Sequence, residues 1–117
     1  MASVKLYGLP HCDGTQAVMK WFESKGIATS LHNYKTEGIS EEKLKEWSKV
    51  FGWEKLLNKR STTWRGLSKE EQDRVVDESS AIRLLLQNTS LIKRPVIESG
   101  KNLLIGFDEK QLNNTFK

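Results

Sequence analysis

The sequence predicts an α/β fold built from a β-α-β unit, a helical block and a closing β-β-α unit. Three observations carry this. A short β-rich run, Val4-Lys5-Leu6-Tyr7, opens the chain and is closed by Gly8 and Pro10. A hairpin signal stands near the other end, where Pro95-Val96-Ile97-Glu98 and Asn102-Leu103-Leu104-Ile105 flank Ser99-Gly100-Lys101. Between them, helical spacing and capping signals recur over about residues 36–89.

The elements follow in order. Asp13 with Gln16 three positions on resembles a capping box, and Val18, Trp21 and Phe22 share one face of the helix it would open. Gly26 ends that helix, and Ala28 to Tyr34 reads as a second strand. Ser40 caps a helix running to about Phe51, with Leu44, Trp47 and Phe51 on one face, and Gly52 breaks it. Trp53 to Asn58 reads as a further helical turn and Arg60 to Arg65 as a polar loop. Ser68 with Glu71 is a capping box opening a helix to about Asp77. Ser79 restarts the helical pattern, with Ile82, Leu85 and Leu86 on the buried side, and Asn88-Thr89 stops it. After the hairpin, Asp108 caps a last helix whose inner face carries Leu112 and Phe116.

Composition narrows the function. A chain of 117 residues predicts one domain, and four Trp, four Phe and two Tyr supply the apolar mass that disordered chains lack. Lys plus Arg number 19 against 15 Asp plus Glu, a net charge of +4, with the basic residues interleaved among acidic ones. That balance suits a small anionic ligand and does not point to nucleic acid. One cysteine, Cys12, excludes an intrachain disulfide framework, and with only His11 and His32 beside it a cysteine-rich zinc site is excluded too. No signal peptide is visible at Met1-Ala2-Ser3-Val4-Lys5, and no apolar stretch approaches the ~20 residues of a membrane span. The expectation is a soluble cytoplasmic monomer without membrane contact or bound metal.

Cys12 is the residue best placed for chemistry. It lies between a strand and a helix start, where unpaired N–H groups favour a thiolate over a thiol. A free cysteine is often a small core residue, but Pro10-His11-Cys12-Asp13-Gly14 is polar and turn-rich, which favours a functional thiol. Thr15 stands where a Cys-X-X-Cys pair would have its second cysteine, so turnover needs an outside thiol, and glutathione is the obvious supply in a reducing compartment. His11 as a cation would lower the Cys12 pKa or orient a substrate; the alternative is a solvated neighbour. His32 falls in a strand and reads as structural, and Asp13 as a cap. Arg60 and Arg94 are guanidinium forks of the kind that suit oxyanions and carboxylates, against the plainer reading of two solvated charges. The Trp residues at 21, 47, 53 and 64 read as core.

Four segments carry a resemblance. Tyr7-Gly8 with Cys12-Asp13, the block from Gly52 to Arg65, Leu91-Ile92-Lys93-Arg94-Pro95, and Gly106-Phe107 are together similar to the ArsC (arsenate reductase) family, in particular its YffB-like branch. The resemblance spans essentially the whole chain. It implies a thioredoxin-like (glutaredoxin-like) mixed sheet with a helical insertion, the core being 1–35 and 90–117 and the insertion about 36–89. It also implies that Pro95 is a cis proline facing the active cysteine, its flanking backbone pairing with a bound thiol such as glutathione. The catalytic cysteine of the family falls on Cys12, and two of its three anion-binding arginines fall on Arg60 and Arg94. Arsenate reductases proper carry the third in the segment where this chain has Gly106-Phe107-Asp108. An apolar Phe107 cannot hold an oxyanion, and a lost charged donor costs ~1.5–3 kcal/mol.

The function this implies is that of a glutathione-dependent thiol oxidoreductase acting through Cys12. Arg60, Arg94, Pro95 and His11 would hold a small anionic or thiol substrate, and glutathione, with a glutaredoxin as a further partner, would serve as co-substrate. Two alternatives stand beside it. One is a true arsenate reductase. The other is an Spx-like RNA polymerase-binding regulator, for which Thr15 removes the Cys-X-X-Cys switch.

Overall fold

The computed structural model describes residues 4–116, so the Met1-Ala2-Ser3 part of the segment read for a signal peptide lies outside the described residues. The chain divides into two compact units. One runs through Asn33 and resumes at Arg94; the other is Tyr34–Lys93.

The first unit is built on β1 (Val4–Gly8), α1 (Asp13–Ser24), β2 (Thr29–Asn33), β3 (Val96–Ser99), β4 (Asn102–Ile105) and α8 (Glu109–Thr115). The strands form one mixed sheet in the order β2-β1-β3-β4. β1 runs parallel to β2 and antiparallel to β3, and β3 and β4 close the hairpin antiparallel. Strand residues alternate between sheet faces, so Val4 and Leu6 point to one side together. There they meet Val18, Trp21 and Phe22 of α1, Ile97 and Leu104 of the hairpin, and Leu112 of α8. Leu6, Phe22 and Ile97 are fully buried, each contributing about 1.5–3 kcal/mol. On the other face the buried Tyr7 donates its hydroxyl to Glu98 Oε1 at 2.8 Å and lies tilted against His32, ring centroids 4.9 Å apart. α1 ends as expected before Gly26, which takes φ +69° while the Ile27 N–H returns to the Phe22 carbonyl at 3.0 Å.

The second unit is helical: α2 (Tyr34–Glu37), α3 (Glu41–Phe51), α4 (Trp53–Leu56), α5 (Thr62–Arg65), α6 (Lys69–Asp73), α7 (Glu78–Gln87) and a 3₁₀ turn, Thr89–Leu91. Ser40 caps α3 through the Lys43 N–H, 3.1 Å away. Leu44 and Trp47 of α3, Leu56 of α4, and Ala81, Ile82 and Leu85 of α7 supply buried side chains. Tyr34 opens α2 instead of closing β2, and its buried ring meets Trp47 edge-on at 6.5 Å. The unit extends to Lys93 because its exit segment folds back on the residues after α4. Leu57 bridges Ile92, the Asn58 N–H reaches the Leu91 carbonyl at 2.8 Å, and the Lys93 N–H reaches the Leu56 carbonyl at 2.7 Å.

Several local expectations are corrected. Residues 60–65 are not a plain loop, since Ser61 Oγ accepts from the Trp64 N–H at 3.1 Å and opens α5. The Ser68–Glu71 box forms, but α6 stops at Asp73. Asp77 belongs to the next helix: it caps α7 in a reciprocal box with Ser80, so α7 starts at Glu78 and not at Ser79. Leu86 is 37% exposed, and the fully buried Ala81 takes the inward place. Trp21 and Trp47 are core, whereas Trp53 and Trp64 are half-buried, with Lys59 Nζ 5.6 Å from the centre of the Trp64 ring. Among the described residues no helix is long and apolar enough to cross a membrane.

Candidate active site

The turn after β1 delivers Cys12 to the start of α1. Gly8 ends the strand, and the Cys12 N–H bonds back to the Leu9 carbonyl at 3.1 Å. Cys12 is extended (φ −81°, ψ 129°), and its carbonyl accepts the first helical bond, from the Gln16 N–H at 2.9 Å. Cys12 is therefore the N-cap of α1. This corrects the reading of Asp13 as the cap: Asp13 is the first helical residue and is exposed, and Gln16 donates its side-chain amide to the Pro10 carbonyl at 3.1 Å. A polar N-cap side chain accepts a backbone N–H two or three residues on. The Cys12 sulfur makes no such bond.

The Arg94-Pro95 segment lies directly against this turn. Its peptide bond is cis, as the resemblance implied, and Pro95 is buried. The contact is close at two glycines of the turn. A Cβ on Gly14 would lie 3.3 Å from the Arg94 carbonyl oxygen, 3.7 Å from Pro95 Cδ and 3.9 Å from Cys12 Sγ. A Cβ on Gly8 would lie 2.6 Å from Thr15 Oγ1 and 3.4 Å from Arg94 Cβ. On its far side Pro95 offers its carbonyl to the Gly106 N–H at 2.8 Å, which ties the proline to the end of the hairpin.

Three groups act on the Cys12 sulfur, and they outweigh its surroundings. Partial burial pushes the thiol pKa up. The Thr15 N–H, the Arg94 guanidinium as a hydrogen-bond donor, the Thr15 hydroxyl and the Arg94 charge each pull it down, and the net result lies below the ordinary thiol value. Cys12 is a free, half-exposed thiol, so the group that these donors ionise is reachable from solvent.

The structure thus brings Cys12, Arg94 and Pro95 together within the first unit. His11 is the exposed residue before the N-cap and is not one of the groups that shift the sulfur. Arg60 belongs to the second unit, where its side chain is exposed and its N–H bonds to Asn58 Oδ1 at 3.1 Å. Phe107, after Gly106, is 46% exposed. Among the described residues no cluster of His, Cys, Asp or Glu is suited to hold a metal ion. Sequence reasoning missed Thr15, reading it only as the absence of a second cysteine. The signal was its spacing: a residue three places after an N-cap faces the cap side chain.

Residues 7–115 match the model of the ArsC family. The chain is 38% identical over 113 residues to an uncharacterized protein of Haemophilus influenzae, covering 97% of this chain and 98% of that one. A solved structure of a YffB protein superposes with a TM-score of 0.92 at 35% identity, covering 98% of this chain and all of the other. The solution structure of an arsenate reductase-related protein from Brucella melitensis gives a TM-score of 0.76 at 39% identity, over 98% of this chain and 95% of that one.

Proposed function

The chain belongs to the ArsC family and has its thioredoxin-like fold, and from that premise we propose that it is a cytoplasmic, monomeric thiol oxidoreductase that uses glutathione as co-substrate. The observation that carries this reading is the setting of Cys12. A half-exposed cysteine stands at the N-cap of a helix, is held toward the thiolate by Arg94 and Thr15, and lies beside a cis Arg94-Pro95 peptide.

The chemistry needs one protein sulfur. The Cys12 thiolate attacks one sulfur of oxidised glutathione or of another small disulfide. The old S–S bond breaks, a new one forms to Cys12, and the second glutathione leaves as its thiolate. A reduced glutathione thiolate, or a glutaredoxin, then attacks the glutathione sulfur of the adduct and returns Cys12 as the thiolate. The Arg94 fork suits a carboxylate of the tripeptide. The backbone flanking Pro95 is the element against which its peptide would pair. Arg60, carried over from the family pattern, is a second anion-binding candidate, and exposed His11 a substrate-facing one.

Intact-protein mass spectrometry tests this directly. Wild type incubated with oxidised glutathione should gain one glutathionyl group, and excess reduced glutathione should remove it. Cys12→Ser should gain none. A folded wild-type protein that forms no adduct overturns the reading.

A further inference from the structure

We propose that Phe107 is a specificity-determining residue: its half-exposed ring is an apolar subsite next to the Cys12–Pro95 rim, and it selects a mixed disulfide between glutathione and an apolar, best an aromatic, thiol. The inference deepens the oxidoreductase reading and rests on it. It names what the substrate carries on the side that is not glutathione.

The ring reaches this rim through Pro95. The antiparallel register pairs Val96 with Ile105, and the Gly106 N–H carries the pairing one step further by donating to the Pro95 carbonyl at 2.8 Å. Phe107 therefore leaves β4 one residue past the proline. On its other side the proline meets the sulfur. One point, the place of a Cβ on Gly14, is 3.7 Å from Pro95 Cδ and 3.9 Å from Cys12 Sγ. The end of β1, the start of β3 and the end of β4 lie at the same end of the sheet, because β3 runs antiparallel to both of its neighbours. Cys12, Pro95 and the Gly106-Phe107 step are thus successive neighbours within one compact unit.

Exposure sets Phe107 apart. Among the described residues the large apolar side chains left exposed are Val50, Val76, Leu86 and Phe107. The first three belong to the helical unit, and Phe107 alone shares a unit with Cys12. An apolar group laid on the ring removes apolar surface of both from water, which is favourable. The carboxylate next to the ring is committed elsewhere, since Asp108 Oδ1 accepts from the Gln111 N–H at 3.2 Å and caps α8. The two sides of the substrate are then told apart by chemistry: the Arg94 fork suits a glutathione carboxylate, and Phe107 suits hydrocarbon. The Cys12 thiolate attacks the glutathione sulfur, the S–S bond breaks, and the apolar thiol leaves as its thiolate. A reduced glutathione thiolate then displaces the glutathionyl group, which gives oxidised glutathione and returns the Cys12 thiolate.

Two glutathione mixed disulfides test this, one with benzyl mercaptan and one with 2-mercaptoethanol, thiols of similar acidity. Each is reduced by the whole chain with reduced glutathione as co-substrate. Wild type should show a kcat/KM roughly tenfold higher for the benzyl compound. Phe107→Ala should erase that preference, with the loss falling on KM, because the ring binds ground state and transition state alike. Phe107→Leu, which stays apolar, should keep most of it. Equal kcat/KM for the two compounds in wild type overturns the inference and leaves the oxidoreductase reading standing, as does a preference that survives in folded Phe107→Ala. A fall in kcat shared by both compounds in Phe107→Ala overturns it too, since that assigns the ring a structural part. A folded wild type that takes no glutathionyl group from either compound overturns the oxidoreductase reading itself, and the inference with it.

Discussion

Gly14 and Arg94 are in backbone contact: a side chain at 14 would begin 3.3 Å from the Arg94 carbonyl oxygen. The first turn of α1 and the peptide before Pro95 are therefore spaced by a missing Cβ. That spacing holds the Arg94 guanidinium within hydrogen-bonding reach of Cys12.

Gly14→Ala follows from this spacing. Replacing a helical glycine by alanine normally stabilises by up to ~1 kcal/mol. Here the added carbon must push the Arg94 carbonyl by a few tenths of an ångström. The variant should show no gain in thermal stability, and its mixed disulfide with glutathione should form more slowly than that of wild type. A full helix-propensity gain with an unchanged rate would mean that the contact constrains nothing.

Arg94 acts on Cys12 both as a hydrogen-bond donor and as a charge. Arg94→Ala should raise the alkylation midpoint by about one to two pH units, the worth of a charge-assisted hydrogen bond. Arg94→Lys keeps the charge without the fork and should fall between the two. Equal midpoints in all three proteins would remove Arg94 from the site.

Stability should depend on pH through the same sulfur. The folded-state Cys12 pKa lies below the unfolded one, so ionised Cys12 contributes stability that is fully present above the unfolded value. It is lost as pH falls through the folded value. The melting temperature of wild type relative to Cys12→Ala should therefore rise with pH from the folded-state value up to the ordinary thiol range. A flat difference would show that the thiolate does not cap α1.

Wild type should turn over arsenate weakly or not at all with glutathione and glutaredoxin. Phe107 offers no charge where arsenate reductases proper carry an arginine, and it is 46% exposed, so a longer side chain fits without disturbing the core. Phe107→Arg should raise arsenate turnover roughly ten- to hundredfold over wild type. Robust wild-type turnover would refute the argument.

What could be read beforehand followed from how local each signal is. The strand at Val4, the Ser40 cap and the hairpin around Gly100 are short-range patterns, and each appears where its residues place it. The turn of helix after Ser61 was hidden because its neighbours are polar and a single hydroxyl opens it. Asp77 looked like a helix end because an aspartate fits the end of one acidic helix as well as the cap of the next; its bond from the Ser80 N–H at 2.9 Å decides. Cys12 was legible from its place between strand and helix. Gly14 was not, because the Arg94 carbonyl that crowds a side chain there is distant in sequence, and Gly8 was not, because its neighbour Thr15 Oγ1 meets it only once the turn has folded.

The backbone bonds joining Leu56, Leu57 and Asn58 to Leu91, Ile92 and Lys93 make the intervening stretch a closed loop. The entropy of closing a loop grows only with the logarithm of its length, about 0.6 kcal/mol per doubling. Residues added or removed at the exposed Gly66 turn between α5 and α6 would leave the fastening itself in place. That turn is a place where the chain can lengthen at small thermodynamic cost, and where a tag or a short foreign segment could be spliced in.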